Sequence, residues 1–361
     1  MSTENKIDYK TFEATVARSS KLEADIKQNP AKYRVLTGDR PTGRLHIGHF
    51  FGSLLNRVQL SRFGVETYIV IADYQVLTDR DTFEAISDNI KQLTIDYMAV
   101  GLNPDDGKTF IFPHSHVPEL NQLLLPFLTL VTNAELDRNP TVKEEIQASG
   151  QKNINAGMYT YPVHQAADIL FCKSNVVPVG KDQLPHLELT RVIARRFNDK
   201  FAAGHPVFPE PQPLLSRAPV ILGLDGSQKM SKSRNNAILL SATEDETANL
   251  IKKAKTDAER LITYDPVKRP EVSNLLLVMS LISGEAPEGI AARIGDGGGG
   301  MLKRMLTEML NEYLRPIRAR RKELESNPDY VRTVLKNGIV QARQVAEKTL
   351  SEVRSVMNME I

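Results

Sequence analysis

The stretch Val35-Leu-Thr-Gly-Asp-Arg-Pro-Thr-Gly-Arg-Leu-His-Ile-Gly-His-Phe-Phe-Gly-Ser-Leu-Leu55 decides how the rest of the chain is read. A short apolar run ends near Thr37, the turn formers Gly38, Pro41 and Gly43 follow, and a helical pattern starts near His46. Strand, glycine turn and helix open an α/β unit, in which ligands sit at the carboxyl ends of the strands. A helix N-terminus attracts anions through its free N–H groups and partial positive charge. His46 and His49, three apart, present both imidazoles on one side of that end, which suits phosphate oxygens whose charge grows during phosphoryl transfer. Gly48 and Gly52, four apart, leave a helix face without a Cβ, open to close approach by a backbone or a flat ligand. A surface helix with two capping histidines satisfies the same letters, so the stretch by itself indicates a local fold rather than a chemistry.

Working outward, short apolar runs at Arg34–Thr37, Tyr68–Ala72, Phe110–Phe112 and Val176–Val179 read as buried strands. Ile86, Ile90, Leu93, Tyr97 and Val100 make one apolar stripe on a helix between two of them. The segment after Pro118, with Leu123, Leu124, Leu125, Phe127 and Leu128, predicts a buried helix. Strands separated by helices imply parallel pairing with right-handed crossovers, hence a doubly wound α/β sheet over 34–240. Residues 1–33 read as a partly helical or frayed extension. Past residue 240 the strand signals fade, and 241–361 reads as an all-helical domain whose first helices pack on the sheet domain. The run Gly295 to Gly300 predicts a flexible connector, and Ala342, Val345, Ala346, Val353 and Met357 mark one side of the last helix.

The 361 residues are 41% hydrophobic and 25% charged, a balance that can bury a sizeable core. Lys plus Arg number 46 against 44 Asp plus Glu, a net +2, so any nucleic-acid footprint must be local. The single cysteine, Cys172, excludes a disulfide framework and a cysteine-built zinc site, and no His/Asp/Glu cluster suggests a dedicated metal. With no run of about 18 apolar residues and no apolar core in the first ten, the expectation is a cytoplasmic protein without membrane contact. Between 301 and 361, twelve Lys and Arg face eight Asp and Glu. Arg315, Arg318, Arg320 and Arg321 crowd one short stretch, a candidate for phosphate contacts with RNA or simply a solvated helix face.

A second polar loop, Gly223-Leu-Asp-Gly-Ser-Gln-Lys-Met-Ser-Lys-Ser233, carries two flexible point charges, Lys229 and Lys232, of the kind that clamp a polyphosphate. Ser231 and Ser233 add donors, and the backbone of such a loop can form an anion nest. His-Ile-Gly-His at 46–49 followed by Lys-Met-Ser-Lys-Ser at 229–233 resembles the paired signatures of class I aminoacyl-tRNA synthetases. The stretches Tyr161-Pro-Val-His-Gln-Ala-Ala-Asp168 and Val177-Pro-Val-Gly-Lys-Asp-Gln183, with Glu188-Leu-Thr-Arg191, look like the tryptophanyl branch.

That resemblance implies a Rossmann-like catalytic domain and an anticodon-binding helical domain, with ATP, L-tryptophan and tRNA(Trp) as substrates. It also implies Mg²⁺ carried by the ATP, and a homodimer. It places His46, His49, Lys229, Lys232 and Lys143 around the phosphates. Arg40, Gly48, Gly180, Asp182, Met230 and Ser231 would complete the ATP site. Gly38 and Gln75 would join the amino-acid pocket. Spacing adds an independent reason: Tyr161, Gln165 and Asp168, at i, i+4 and i+7, face one way from a helix. Asp168 can accept the indole N–H, while Tyr161, Gln165 and Gln183 suit the α-ammonium. Two positions depart from the tryptophanyl pattern, Arg40 where Gln is usual and Gln165 where Met is common. The second resembles tyrosyl-tRNA synthetases, the sibling reading; a catalytically quiet paralogue with a regulatory role is the other. A chain cut before residue 300 would be expected to lose charging and keep part of its activation step.

Overall fold

Val35, Leu36, Tyr68 to Ile71, Ile111, Phe112 and Val176 are all buried, which is why their segments read as near-continuous apolar runs. A computed structural model of the chain describes residues 9–78, 84–149, 154–215, 220–226, 228–231 and 234–360. It contains the strands β1 (Arg34–Asp39), β2 (Glu66–Ile71), β3 (Thr109–Pro113), β4 (Val176–Val179) and β5 (Gln212–Leu215). They form one sheet in the order β3-β2-β1-β4-β5, every pair parallel. The order reverses direction between β1 and β4, so the crevice outside their carboxyl ends is where this topology places a ligand. The four predicted strands are present. β5 was missed because Gln-Pro-Leu-Leu is short and its proline suits only an edge.

The helices, in chain order, are α1 (Tyr9–Gln28), α2 (Ile47–His49), α3 (Leu55–Arg62), α4 (Ile86–Ala99), α5 (Pro118–Asn121), α6 (Leu124–Leu128), α7 (Asn133–Arg138) and α8 (Pro140–Ser149). They continue with α9 (Ala156–Leu170), α10 (Leu184–Phe201), α11 (Glu244–Lys253), α12 (Pro270–Ser283), α13 (Pro287–Ile294), α14 (Gly298–Glu325) and α15 (Pro328–Val356). Among the described residues no single helix is long and apolar enough to cross a membrane. Cys172 is buried, a small apolar filler.

Two expectations are corrected and a third is narrowed. The segment after Pro118 is two short helices rather than one buried rod, and Leu125 stands 71% exposed. The glycine run is no flexible connector. Gly295 and Gly298 take positive φ (55° and 71°), the run makes a tight turn, and α14 starts inside it. Third, of the extension's two readings, partly helical or frayed, the described part follows the helical one. Leu22 and Ile26 of α1 join Val35, Leu60, Val65, Val176 and Leu214 in a small core, and Ser19 caps the edge of β5. Its hydroxyl accepts from Leu215 N–H (3.1 Å) and donates to Pro213 O (3.4 Å).

After residue 240 the regular elements among the described residues are all helices, but their packing returns to the sheet. Leu275, Leu276, Leu302, Leu306 and Leu310 share one apolar cluster with Ile47, Phe50, Ile69 and Leu93. The last helix, α15, lies along the outer strand β3, with Ala342, Ala346, Leu350 and Val353 in the second cluster.

Candidate active site

β1 delivers the chain to the crevice, and the next residues turn into α2. There His46 and His49 cap one another, side chain to backbone in both directions; His46 N–H donates to His49 Nδ1 at 3.3 Å. Their rings lie 3.6 Å apart, centre to centre. Between α2 and α3, Phe50–Leu54 winds as a π turn, a bulge that neither the Gly48–Gly52 spacing nor the apolar pattern announced. Asp39, at the end of β1, is held by Arg57 and Tyr97 (2.6 Å from its Oδ2). Burial opposes the Asp39 charge, yet Arg57 beside it, then Tyr97, hold its pKa down at about 2.

The lysine loop reaches the histidines through backbone pairing. Ile47 N–H donates to Ile238 O (3.0 Å) and Leu240 N–H to Leu45 O (2.9 Å), joining segments far apart in sequence. Asn236 ties the loop internally: its Oδ1 accepts from Ser231 N–H (2.8 Å), its Nδ2 donates to Asp225 (3.1 Å), and its carbonyl accepts from Leu224 N–H (2.9 Å). Met230 packs on α2, its Cβ only 3.3 Å from where a Cβ on Gly48 would stand. Lys232 and Ser233 lie outside the described residues.

Another wall of the cleft comes from α9, started by Asn155, whose side chain accepts from Met158 N–H (2.8 Å). Tyr161, Gln165 and Asp168 emerge on its cleft face as their spacing predicts. His186 lies 2.9 Å from the Tyr161 hydroxyl, and Gln165 Nε2 donates to Gln183 Oε1 at 3.4 Å. Asp168 is buried, and its Oδ1 accepts from His114 Nδ1 at 2.9 Å.

One cleft of about 1680 Å³ is lined by Gly38, Arg40, His46, Gly48, His49, Gln75, Tyr161, Gln165, Asp168, Gly180, Asp182, Gln183, Lys229 and Met230. Of the residues singled out by sequence for the two small substrates, Lys143 and Ser231 do not line it. Lys143 points to solvent from α8 while its neighbours Thr141, Glu144 and Glu145 form the wall, and Lys181 supplies an amine the sequence reading overlooked. Val16 and Ser19 of α1 also line it, so the extension belongs to the cleft.

Sequence reading found no metal-ligating cluster, whereas folding gathers His114, His164 and Asp168 with ligand atoms within 4.8 Å of one another. The proton arrangement does not suit a cation. Tyr74 N–H donates to His114 Nε2 (3.0 Å), which leaves the ring proton on Nδ1, facing Asp168. The group is a hydrogen-bond relay.

The four arginines divide. Arg315 and Arg320 are exposed and pair with Glu312 and Glu323 one turn away. Arg318 is half-buried and donates to Thr247 Oγ1 at 2.8 Å. Arg321 does not face solvent at all: only 3% exposed, it pairs with buried Asp96 on α4 and binds Gln92 and Glu325. Its expected RNA contact is therefore replaced by a structural one, since α14 turns that face inward.

A sequence model of the family described as tRNA synthetases class I (W and Y) matches residues 28–315. The tryptophan--tRNA ligase of Clostridium longisporum is 42% identical over 339 residues, covering 91% of this chain and 98% of that protein. That of Treponema pallidum is 39% identical over 90% of this chain and 97% of its own. Among solved structures, a tryptophanyl-tRNA synthetase of Campylobacter jejuni complexed with ADP and tryptophan superposes with a TM-score of 0.78. It shares 28% identity and covers 90% of this chain and 99% of that one. The parallel sheet, the crevice at its reversal point and the paired signatures on one cleft agree with these matches: the chain belongs to the tryptophan and tyrosine group of the class I tRNA synthetases.

Proposed function

We propose that the chain is a tryptophan--tRNA ligase, an ATP-dependent enzyme that forms tryptophanyl-adenylate and then charges tRNA(Trp). The observation that carries this reading is the single cleft shared by the His46–His49 pair, Lys229 and the Asp168 carboxylate. In the first step a carboxylate oxygen of tryptophan attacks the α-phosphorus of ATP. A new P–O bond forms, the bond to the β-phosphate oxygen breaks, and pyrophosphate leaves. In the second, a ribose hydroxyl at the 3′ end of the tRNA attacks the activated carbonyl and AMP leaves. Both attacking oxygens belong to substrates, so the protein supplies alignment and charge stabilisation rather than a nucleophile.

His46 and His49 at the start of α2 would stabilise charge on one side of the phosphates, and Lys229 with Lys232 on the other. Arg40, Gly180, Asp182 and Met230 line the part of the cleft assigned to the nucleotide, and Tyr161, Gln165 and Gln183 the part assigned to the α-ammonium. Mg²⁺ would come with the ATP. Asp39 is committed to Arg57 and Tyr97, and Asp168 to His114, which fits a cation carried by phosphates and water. Exposed Arg315 and Arg320 on α14 would meet tRNA phosphates. The homodimer reading is supported by large exposed apolar side chains, Tyr74, Leu77, Leu125 and Ile154 among them. The cytoplasm is the compartment where such charging is needed.

Amino-acid-dependent ATP–pyrophosphate exchange tests the reading: turnover with tryptophan and little with tyrosine is expected, and the reverse preference would overturn it.

A further inference from the structure

His114 follows β3 directly, in the turn His114–His116, and its ring is fully buried. Its two nitrogens are committed in opposite senses. Nε2 accepts from Tyr74 N–H at 3.0 Å, so Nδ1 carries the proton and donates to Asp168 Oδ1 at 2.9 Å. The other charged or titratable neighbours are accounted for. Asp73, which follows β2, accepts from Ser115 N–H at 3.1 Å and from the Ser115 hydroxyl, and its Oδ1 lies 3.5 Å from His114 Nε2. His164, on α9, has its ring centre 4.7 Å from that of His114. Gln75 Nε2 donates to its Nδ1 at 3.0 Å, so its Nε2–H donates to Asn121 Oδ1 at 2.6 Å. Asn121 in turn donates to His114 O at 3.2 Å. Asp168 Oδ2 has no hydrogen-bond partner among the described residues, and Asp168 lines the cleft.

We propose that His114 is the positioning residue for substrate selection: by holding one oxygen of Asp168 it presents the other to the cleft as an acceptor for a ring N–H. This rests on the reading of Asp168 as the indole acceptor and adds the group that makes it selective. An unheld carboxylate could rotate and offer either oxygen. The Nδ1–H of a buried imidazole, itself locked by a backbone N–H, removes that freedom. A site whose acceptor is fixed in this way discriminates strongly against an analogue that lacks the hydrogen, because the buried acceptor is then left unpaired.

The test is ATP–pyrophosphate exchange by the full chain with tryptophan and with β-(3-benzothienyl)alanine, whose ring has sulfur in place of N–H. In His114→Ala the preference for tryptophan should fall by roughly tenfold or more, through KM for tryptophan, with kcat and KM for ATP nearly unchanged. His114→Asn keeps an N–H on the atom bonded to Cγ, where Nδ1 stood, and should restore most of the preference; His114→Gln should not. If His114→Ala does not fold, the Asn and Gln variants decide between themselves, and equal preference in the two overturns the proposal. Preference unchanged in His114→Ala overturns it as well. Asp168→Asn separates the two levels. Lost preference there with an intact one in His114→Ala rejects only the positioning role. Preference retained in Asp168→Asn rejects the acceptor reading and the proposal together.

Discussion

At the scale of single residues, His186 supports Tyr161 in the wall of the cleft as an uncharged ring. Asn139 Nδ2 donates to its Nδ1 (3.3 Å), so its Nε2–H faces the Tyr161 hydroxyl, which is hydrogen-bonded in turn to Glu145. Burial drives the His186 pKa from 6.5 to about 4, because a charged ring would lose its water and turn a second donor toward Asn139. The unfolded chain therefore takes up a proton near pH 6.5 that the folded chain refuses until about 4. Stability is expected to fall as the pH drops through that window, by up to about 3 kcal/mol from this residue. Thermal melts of wild type and His186→Gln between pH 7 and 4 check it. The variant should show a shallower fall, and parallel profiles would contradict the assignment. Sequence made Tyr161, Gln165 and Asp168 legible because a helix repeats. It could not reveal His114, His186 or Asn236, whose roles depend on partners brought together only by the fold.

At the scale of elements, Arg321 joins α14 to α4, and Asp96 carries the connection onward. Asp96 Oδ2 accepts from Leu45 N–H at 2.8 Å, one residue before His46. Removing one partner of a buried pair leaves an uncompensated charge, so Arg321→Ala should cost about 3–5 kcal/mol in urea unfolding. Replacing Arg321 and Asp96 together by apolar residues should recover much of it. A single-variant loss below about 1 kcal/mol would place this pair among exposed ion pairs and contradict the burial argument. The docking of α15 on β3 depends on another close approach: a Cβ on Gly338 would stand 2.0 Å from Ile111 O. Gly338→Ala should destabilise by about 1–3 kcal/mol or more, measured in the same way, and a neutral result would mean that α15 does not seat there. The basic letters around Arg321 resembled an RNA-binding face because charge in a sequence does not say which side of a helix is covered.

Across the whole molecule, four of the five strands, their parallel pairing and a cleft at the carboxyl ends followed from the alternation of apolar runs with helical periods. The helical half was legible as helices but not as a covering layer. Ala342, Ala346, Leu350 and Val353 complete a core built on the sheet, a contact no local pattern encodes. Truncation before residue 300 should therefore not leave a partly active enzyme, as sequence alone suggests. Leu302, Leu306, Leu310 and Leu314 would leave the core with α14. Loss of both exchange and cooperative unfolding is expected, and a folded, exchanging fragment would contradict this packing. The central claim is that one cleft brings the distant signatures to a single nucleotide beside the Asp168 carboxylate. Tryptophan-dependent ATP–pyrophosphate exchange by Lys229→Ala tests it most directly. A rate lowered by roughly 10²–10³, with the protein still folded, is the expected result; exchange at the wild-type rate would contradict it.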